Sequence, residues 1–85
     1  MIDPRLAAEI AATLTPRQVA ALLYLPSDGS ERASDGHRMR NAFLGLSEAL
    51  VRGRPVGSTY LWHATPLGLR VRAVVRDQGF WGVAA

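Results

Sequence analysis

His37, Arg38, Arg40 and Asn41 crowd the start of one amphipathic stretch, and Arg52 and Arg54 follow on a Gly- and Pro-containing segment. These are the side chains whose types and spacing can do chemistry. The chemistry is recognition: a guanidinium forks toward phosphate or guanine, and a carboxamide can pair with a base edge. Catalysis has far less to stand on. His37 and His63 lie far apart in the chain, with no cysteine or carboxylate cluster beside either, so neither a metal site nor a general-base pair is indicated. Ser34, Asp35 and His37 include the residue types of a triad, but near-adjacent residues do not easily converge as one. Gly53 and Gly57 have no following helix and make no phosphate loop. The expectation is a protein that is no enzyme and has no catalytic residues, metal or cofactor.

The element that must position these groups is a helix from about Arg38 to Val51. Met39, Ala42, Phe43, Leu46 and Leu50 recur at helical spacing and form a stripe that faces a core. Ser34 or Asp35 supplies an N-cap, and Gly36 lets the chain turn into the helix. The polar end is dressed for contact and the apolar second half for packing. Read alone, this is better taken as an ordinary core helix with a solvated basic end. Charge distribution argues for more. The net charge is +3, but residues 1–36 hold three arginines against five acidic residues, and residues 37–85 hold seven against two. The basic half begins with the proposed recognition helix. All ten basic residues are Arg, a bias for which a GC-rich genome is the plainer cause.

Length and composition set the frame. A chain of 85 residues, 48% hydrophobic and 20% charged, predicts a single domain over 1–85 with one modest core and no extensive disorder. The absence of cysteine excludes disulfides and thiolate zinc sites. No apolar run reaches the ~20 residues of a membrane span, and Asp3, Arg5 and Glu9 interrupt the start. A cytoplasmic protein without membrane contact is expected.

Three cap-and-proline pairs punctuate the chain. Asp3-Pro4 opens a helix over 4–14 with a narrow stripe of Leu6, Ile10 and Leu14, flanked by Ala7 and Ala11. Thr15-Pro16 opens a second helix to about Leu25, with Val19, Leu22 and Leu23 inward, ending where Leu25 precedes Pro26. The segment from Pro26 to Gly36, with Ser-Asp-Gly at both ends, reads as a loop with room for one short helical turn around Ser30 to Ser34. Residues 52–64 read as a short hairpin whose tip lies near Pro55 to Ser58. Tyr60, Trp62 and Ala64 should share one face, Leu61 and His63 the other, and Arg52 and Arg54 should lie together. Thr65-Pro66 opens a closing helix carrying Leu67, Val71, Val74 and Val75, and 77–85 is a tail containing Phe80 and Trp81.

Two strings carry a family resemblance. Leu14-Thr15-Pro16-Arg17-Gln18-Val19-Ala20-Ala21-Leu22-Leu23 resembles the first core helix of MarR-like winged helix regulators, and Trp62-His63-Ala64-Thr65-Pro66-Leu67-Gly68 resembles their turn from wing to last helix. The likeness covers a core of about 14–76. It implies an α+β winged helix-turn-helix domain of three to four helices and a short hairpin wing, binding double-stranded DNA as a homodimer held by its ends. On that reading His37, Arg38, Arg40, Asn41, Arg52 and Arg54 contact DNA, with Arg40 and Asn41 reading bases and Arg52 and Arg54 mainly supplying charge. The sequence departs from the family in two places: the loop leaves only a stub before the recognition helix, and Ala49 stands where the family has glycine. A winged helix used only for protein contacts or oligomerisation is therefore the alternative.

Overall fold

A computed structural model describes residues 4–33 and 36–78, the side chains of residues 4, 36–39 and 78 excepted. In chain order come α1 (Pro4–Thr13), α2 (Pro16–Tyr24), β1 (Arg32–Ala33), α3 (Gly36–Leu44), β2 (Val51–Val56), β3 (Thr59–Ala64) and α4 (Pro66–Gln78). Among the described residues the architecture is α+β, with four helices and a three-stranded antiparallel sheet of order β1-β3-β2.

Helices α1, α2 and α4 each start at the expected proline. At α2 the cap is reciprocal. The Thr15 hydroxyl accepts from the Gln18 N–H at 3.2 Å, and Gln18 Oε1 accepts from the Thr15 N–H at 2.8 Å. Helix α2 ends at Tyr24 because Leu25, ahead of Pro26, is extended at φ −75°, ψ 146°. Asp3, expected to cap α1, lies outside the described residues, as do Ser34 and Asp35, expected to cap α3.

The central helix is shorter than its periodicity predicts, ending at Leu44 and not near Val51. The Gly45 N–H still bonds the Asn41 carbonyl at 3.0 Å, but the Leu46 N–H bonds Phe43, three residues back, and the helix closes. Ser47 then starts a separate turn. Its hydroxyl accepts from the Ala49 N–H at 3.1 Å, and its carbonyl accepts from Leu50 at 2.9 Å and Val51 at 3.2 Å. Leu46 and Leu50 are buried all the same. The apolar stripe continues through a turn, so spacing identified the inward face but not the backbone that presents it.

A second correction concerns the loop after α2. Where a loop with room for at most one helical turn was expected, Arg32 and Ala33 form β1 and pair with Trp62 and Leu61 of β3. The pairing satisfies an edge of β3 that would otherwise show unpaired backbone groups.

The core gathers Phe43 of α3, Leu22 and Leu25 at the end of α2, Trp62 of β3, and Val71 and Val75 of α4. Helix α1 packs against α4. Its most buried side chains are Ala7 and Ala11, with Ile10 half-buried beside them and Leu6 44% exposed. Small residues at the contact let the two helices approach closely.

The joint between wing and last helix is tightly determined. Thr65 donates its N–H to the Leu50 carbonyl at 2.9 Å and its hydroxyl to Ala49, while the same hydroxyl accepts from the Gly68 N–H at 3.0 Å. A Cβ on Gly68 would sit 1.9 Å from the Leu50 carbonyl oxygen. The expected close packing at this glycine is therefore against the turn that enters β2, not against the preceding strand.

Candidate nucleic-acid interface

An α-helix advances 100° per residue, so burying Ala42 and Phe43 of α3 leaves Asn41 and Leu44 on the outward face and Arg40 on its flank. Asn41 is exposed, and Leu44 is 62% exposed. The side chains of His37 and Arg38 lie outside the described residues.

Arg40 leans toward the hairpin. Its guanidinium carbon lies 5.2 Å from the centroid of the Tyr60 ring, within cation–π range. Tyr60 stacks on Trp62 at 5.6 Å, Trp62 on Phe43 at 5.1 Å, and Phe43 tilts against Tyr24 at 6.1 Å. Arg32 closes the far end, 4.1 Å from the Tyr24 ring centroid. Four aromatic rings between two guanidinium groups thus tie α2, α3 and β3 together. The stack needs Gly53 beneath it, since a Cβ there would come within 2.5 Å of the Trp62 ring.

The hairpin pairs Arg52 with His63, Gly53 with Trp62, Arg54 with Leu61 and Pro55 with Tyr60, and turns through Gly57 and Ser58. Cross-strand partners share a face. Arg52 and Arg54 therefore lie together, as expected, on the face opposite Tyr60 and Trp62. The six residues singled out in the sequence do not form one stripe: Arg40 and Asn41 belong to the helix side and Arg52 and Arg54 to the far face of the wing.

The arginines differ in what they touch. Arg54 makes a bidentate pair with Glu31, Nε to Oε2 at 2.6 Å and Nη2 to Oε1 at 2.7 Å. Hydrogen bonding to Arg54 holds the Glu31 carboxyl below the ordinary glutamate range, and Glu31 raises the Arg54 guanidinium in turn. Arg72 donates to the carbonyls of Leu25 at 3.1 Å and Leu23 at 3.4 Å, and Arg32 donates to that of Tyr24 at 3.0 Å. These two cap the C-terminal end of α2, where unpaired carbonyls and the helix dipole favour cations. Arg17, Arg52, Arg70 and Arg76 are exposed and have no ion-pair partner among the described residues. The basic excess of the second half thus overstates the charge available to a ligand.

Beside α3 an open groove of about 420 Å³ runs along the edge of β2, lined by Phe43, Leu44, Leu46, Arg52, Tyr60 and Trp62 among others. Among the described residues no group of three or more His, Cys, Asp or Glu side chains could hold a metal ion, and no helix is long and apolar enough to cross a membrane. Two residues of this region escaped the sequence reading, Tyr60 as the seat of Arg40 and Glu31 as the partner of Arg54. The alternation of β3 gave the face of Tyr60; no local signal marks Glu31, whose position depends on β1. No protein-family model matches this chain, and no curated protein or solved structure matches it.

Proposed function

We propose that the protein is a small DNA-binding protein of winged helix-turn-helix form, with α3 entering the major groove and the β2–β3 hairpin serving as the wing. The observation that carries this is a helix held rigidly by its buried side beside a hairpin whose residues 52–59 are all exposed, with Arg40 between the two. A buried stripe gives the helix a fixed aim, and Asn41 on the outward face has the donor and acceptor pair that suits adenine. The strand order β1-β3-β2, with β1 before the central helix, is compatible with a winged helix, and so is the Thr65-Pro66-Leu67-Gly68 joint that resembles MarR-like regulators. Helix α3 directly follows β1, and among the described residues no further helix stands between α2 and α3, so α2 itself packs against α3 in the role of the supporting helix.

Binding to a random-sequence duplex at two salt concentrations tests the proposal. Each neutralised phosphate adds about 0.9 to the slope of log affinity on log salt, so three contacts from Arg40, Arg52 and Arg54 predict roughly 40-fold weaker binding between about 50 and 200 mM salt. A protein that leaves the duplex free at the lower salt does not have this function. A homodimer belongs to the same proposal, since two copies would set two recognition helices about one turn, ~34 Å, apart.

The second reading, a protein-contact module without DNA binding, is favoured by one observation. Leu44, more than half exposed, borders the groove on the same outward face as Asn41. Loss of a protein partner with Leu44→Ser, alongside unchanged and salt-insensitive behaviour toward duplex, would select it.

A further inference from the structure

Arg40 and Asn41 are neighbours in sequence, yet the fold gives them different surroundings. Asn41 stands on the outward face of α3. Arg40 stands on the flank, over a ring that belongs to the wing, and Tyr60 in turn pairs across the hairpin with Pro55, two residues before the Gly57–Ser58 turn. Arg40 is exposed, Tyr60 is half-buried, and the Tyr60 hydroxyl has no hydrogen-bond partner among the described residues. The pair bridges α3 and the hairpin.

From this placement we infer that Arg40 and Tyr60 form a single clamp on one backbone phosphate of a DNA duplex, and that neither reads a base. The inference rests on the DNA-binding reading above. A helix in the major groove and a hairpin in the adjacent minor groove are necessarily separated by a sugar–phosphate strand, because that strand is the wall between the grooves. Whatever lies between helix and wing faces phosphate. The chemistry agrees: Tyr60 holds the guanidinium within cation–π range, the Arg40 N–H groups have no hydrogen-bond partner among the described residues, and the phenol supplies one more donor. The rest of the stack immobilises the seat, since Tyr60 rests on Trp62 and Trp62 on Phe43. Base readout from α3 then falls to Asn41 and not to Arg40.

The test compares the unaltered protein with Arg40→Ala, Tyr60→Phe and Asn41→Ala on a random duplex and on a site enriched from a random pool, each over a salt series. Arg40→Ala should weaken both duplexes by the same factor and lower the salt slope by about 1. Tyr60→Phe should weaken both equally and leave the slope unchanged, because it removes a neutral donor and keeps the ring. Asn41→Ala should weaken the enriched site alone. An Arg40→Ala variant that loses the enriched site while holding random duplex with unchanged slope would make Arg40 a base reader and overturn the clamp, and so would Arg40→Ala binding like the unaltered protein. Failure of the unaltered protein to bind any duplex at low salt would remove the DNA-binding reading itself, a result distinct from either. Unchanged thermal midpoints of the variants keep folding out of the comparison.

Discussion

At the scale of single residues, the same side chain does different work according to what the fold sets beside it. Arg52 and Arg54 are two apart and share a face, but Arg54 is held by Glu31 and Arg52 is exposed without an ion-pair partner among the described residues. A phosphate must displace Glu31 to reach Arg54. In the parent protein Arg54→Ala should therefore weaken duplex binding less than Arg52→Ala does, and in a Glu31→Gln background, itself tighter on every duplex, the two losses should become equal. Titrating duplex with these variants checks it; equal losses in the parent would mean that the ion pair restrains nothing. Acid should act in the same direction. Glu31 has a folded value depressed below its ordinary 4.5, so the latch is fully present above that value and is lost as pH falls through the lower folded one. At the wing joint, Gly68→Ala drives a Cβ into the Leu50 carbonyl oxygen, a backbone atom that cannot swing aside. A loss of about 1 to 3 kcal/mol in denaturant unfolding is expected, the cost typical of overpacking.

At the scale of elements, what was legible in the sequence depended on whether the signal was local. The start of α2 was readable from Thr15, Pro16 and Gln18 because capping boxes are local chemistry, and the faces of β3 were readable because strand alternation is. The end of α3 was not readable. Leu46 and Leu50 keep the helical spacing although Gly45 to Ser47 have left the helix, and the closing contact comes from elsewhere: Gln18 Nε2 donates to the Gly45 carbonyl at 3.1 Å across a separation of 27 residues. Strand β1 was equally hidden, since two exposed residues carry no pattern and the strand exists only through β3. The candidate site divides in the same way. Arg40 and Asn41 were visible as an exposed helix start, whereas the seat on Tyr60 and the Glu31 latch require the tertiary fold. Gln18 offers a test of this coupling between α2 and α3. Gln18→Glu keeps the acceptor that caps α2 but removes the donor to Gly45 and sets a carboxylate against a carbonyl. It should destabilise by about 1 to 2 kcal/mol, although a glutamate is otherwise favoured at that helix position. A Gln18→Glu protein as stable as the parent would mean that α3 ends without help from α2.

For the whole molecule, the question is whether α1 closes one chain or joins two. The homodimer held by its ends that the MarR-like resemblance implies would draw on Leu6, Ile10 and Leu14, the stripe of the N-terminal helix. In the folded chain α1 lies along α4, where Ala7 and Ala11 enter the core and Ile10 and Leu14 pack against it, leaving Leu6 as the exposed member of that stripe. Phe80 and Trp81 of the C-terminal tail, the other chain end, lie outside the described residues. Helix α1 thus packs within its own chain, and there its energetic signature should be that of a core element. Ile10→Ala removes half-buried methylenes and should cost about 1 to 2 kcal/mol, less than the 2 to 5 of a fully buried site. For a domain of this size that is a fall of roughly 5 to 15 °C in the thermal midpoint. Protein concentration separates the two roles, because association stabilises by mass action and folding within one chain does not. Melting Ile10→Ala and the parent at low and at high micromolar concentrations should give the same difference at both. A difference that grows as concentration rises would place α1 between two copies, because the tighter-associating parent gains more by mass action than the variant, and the two-fold arrangement of recognition helices would then run through this helix.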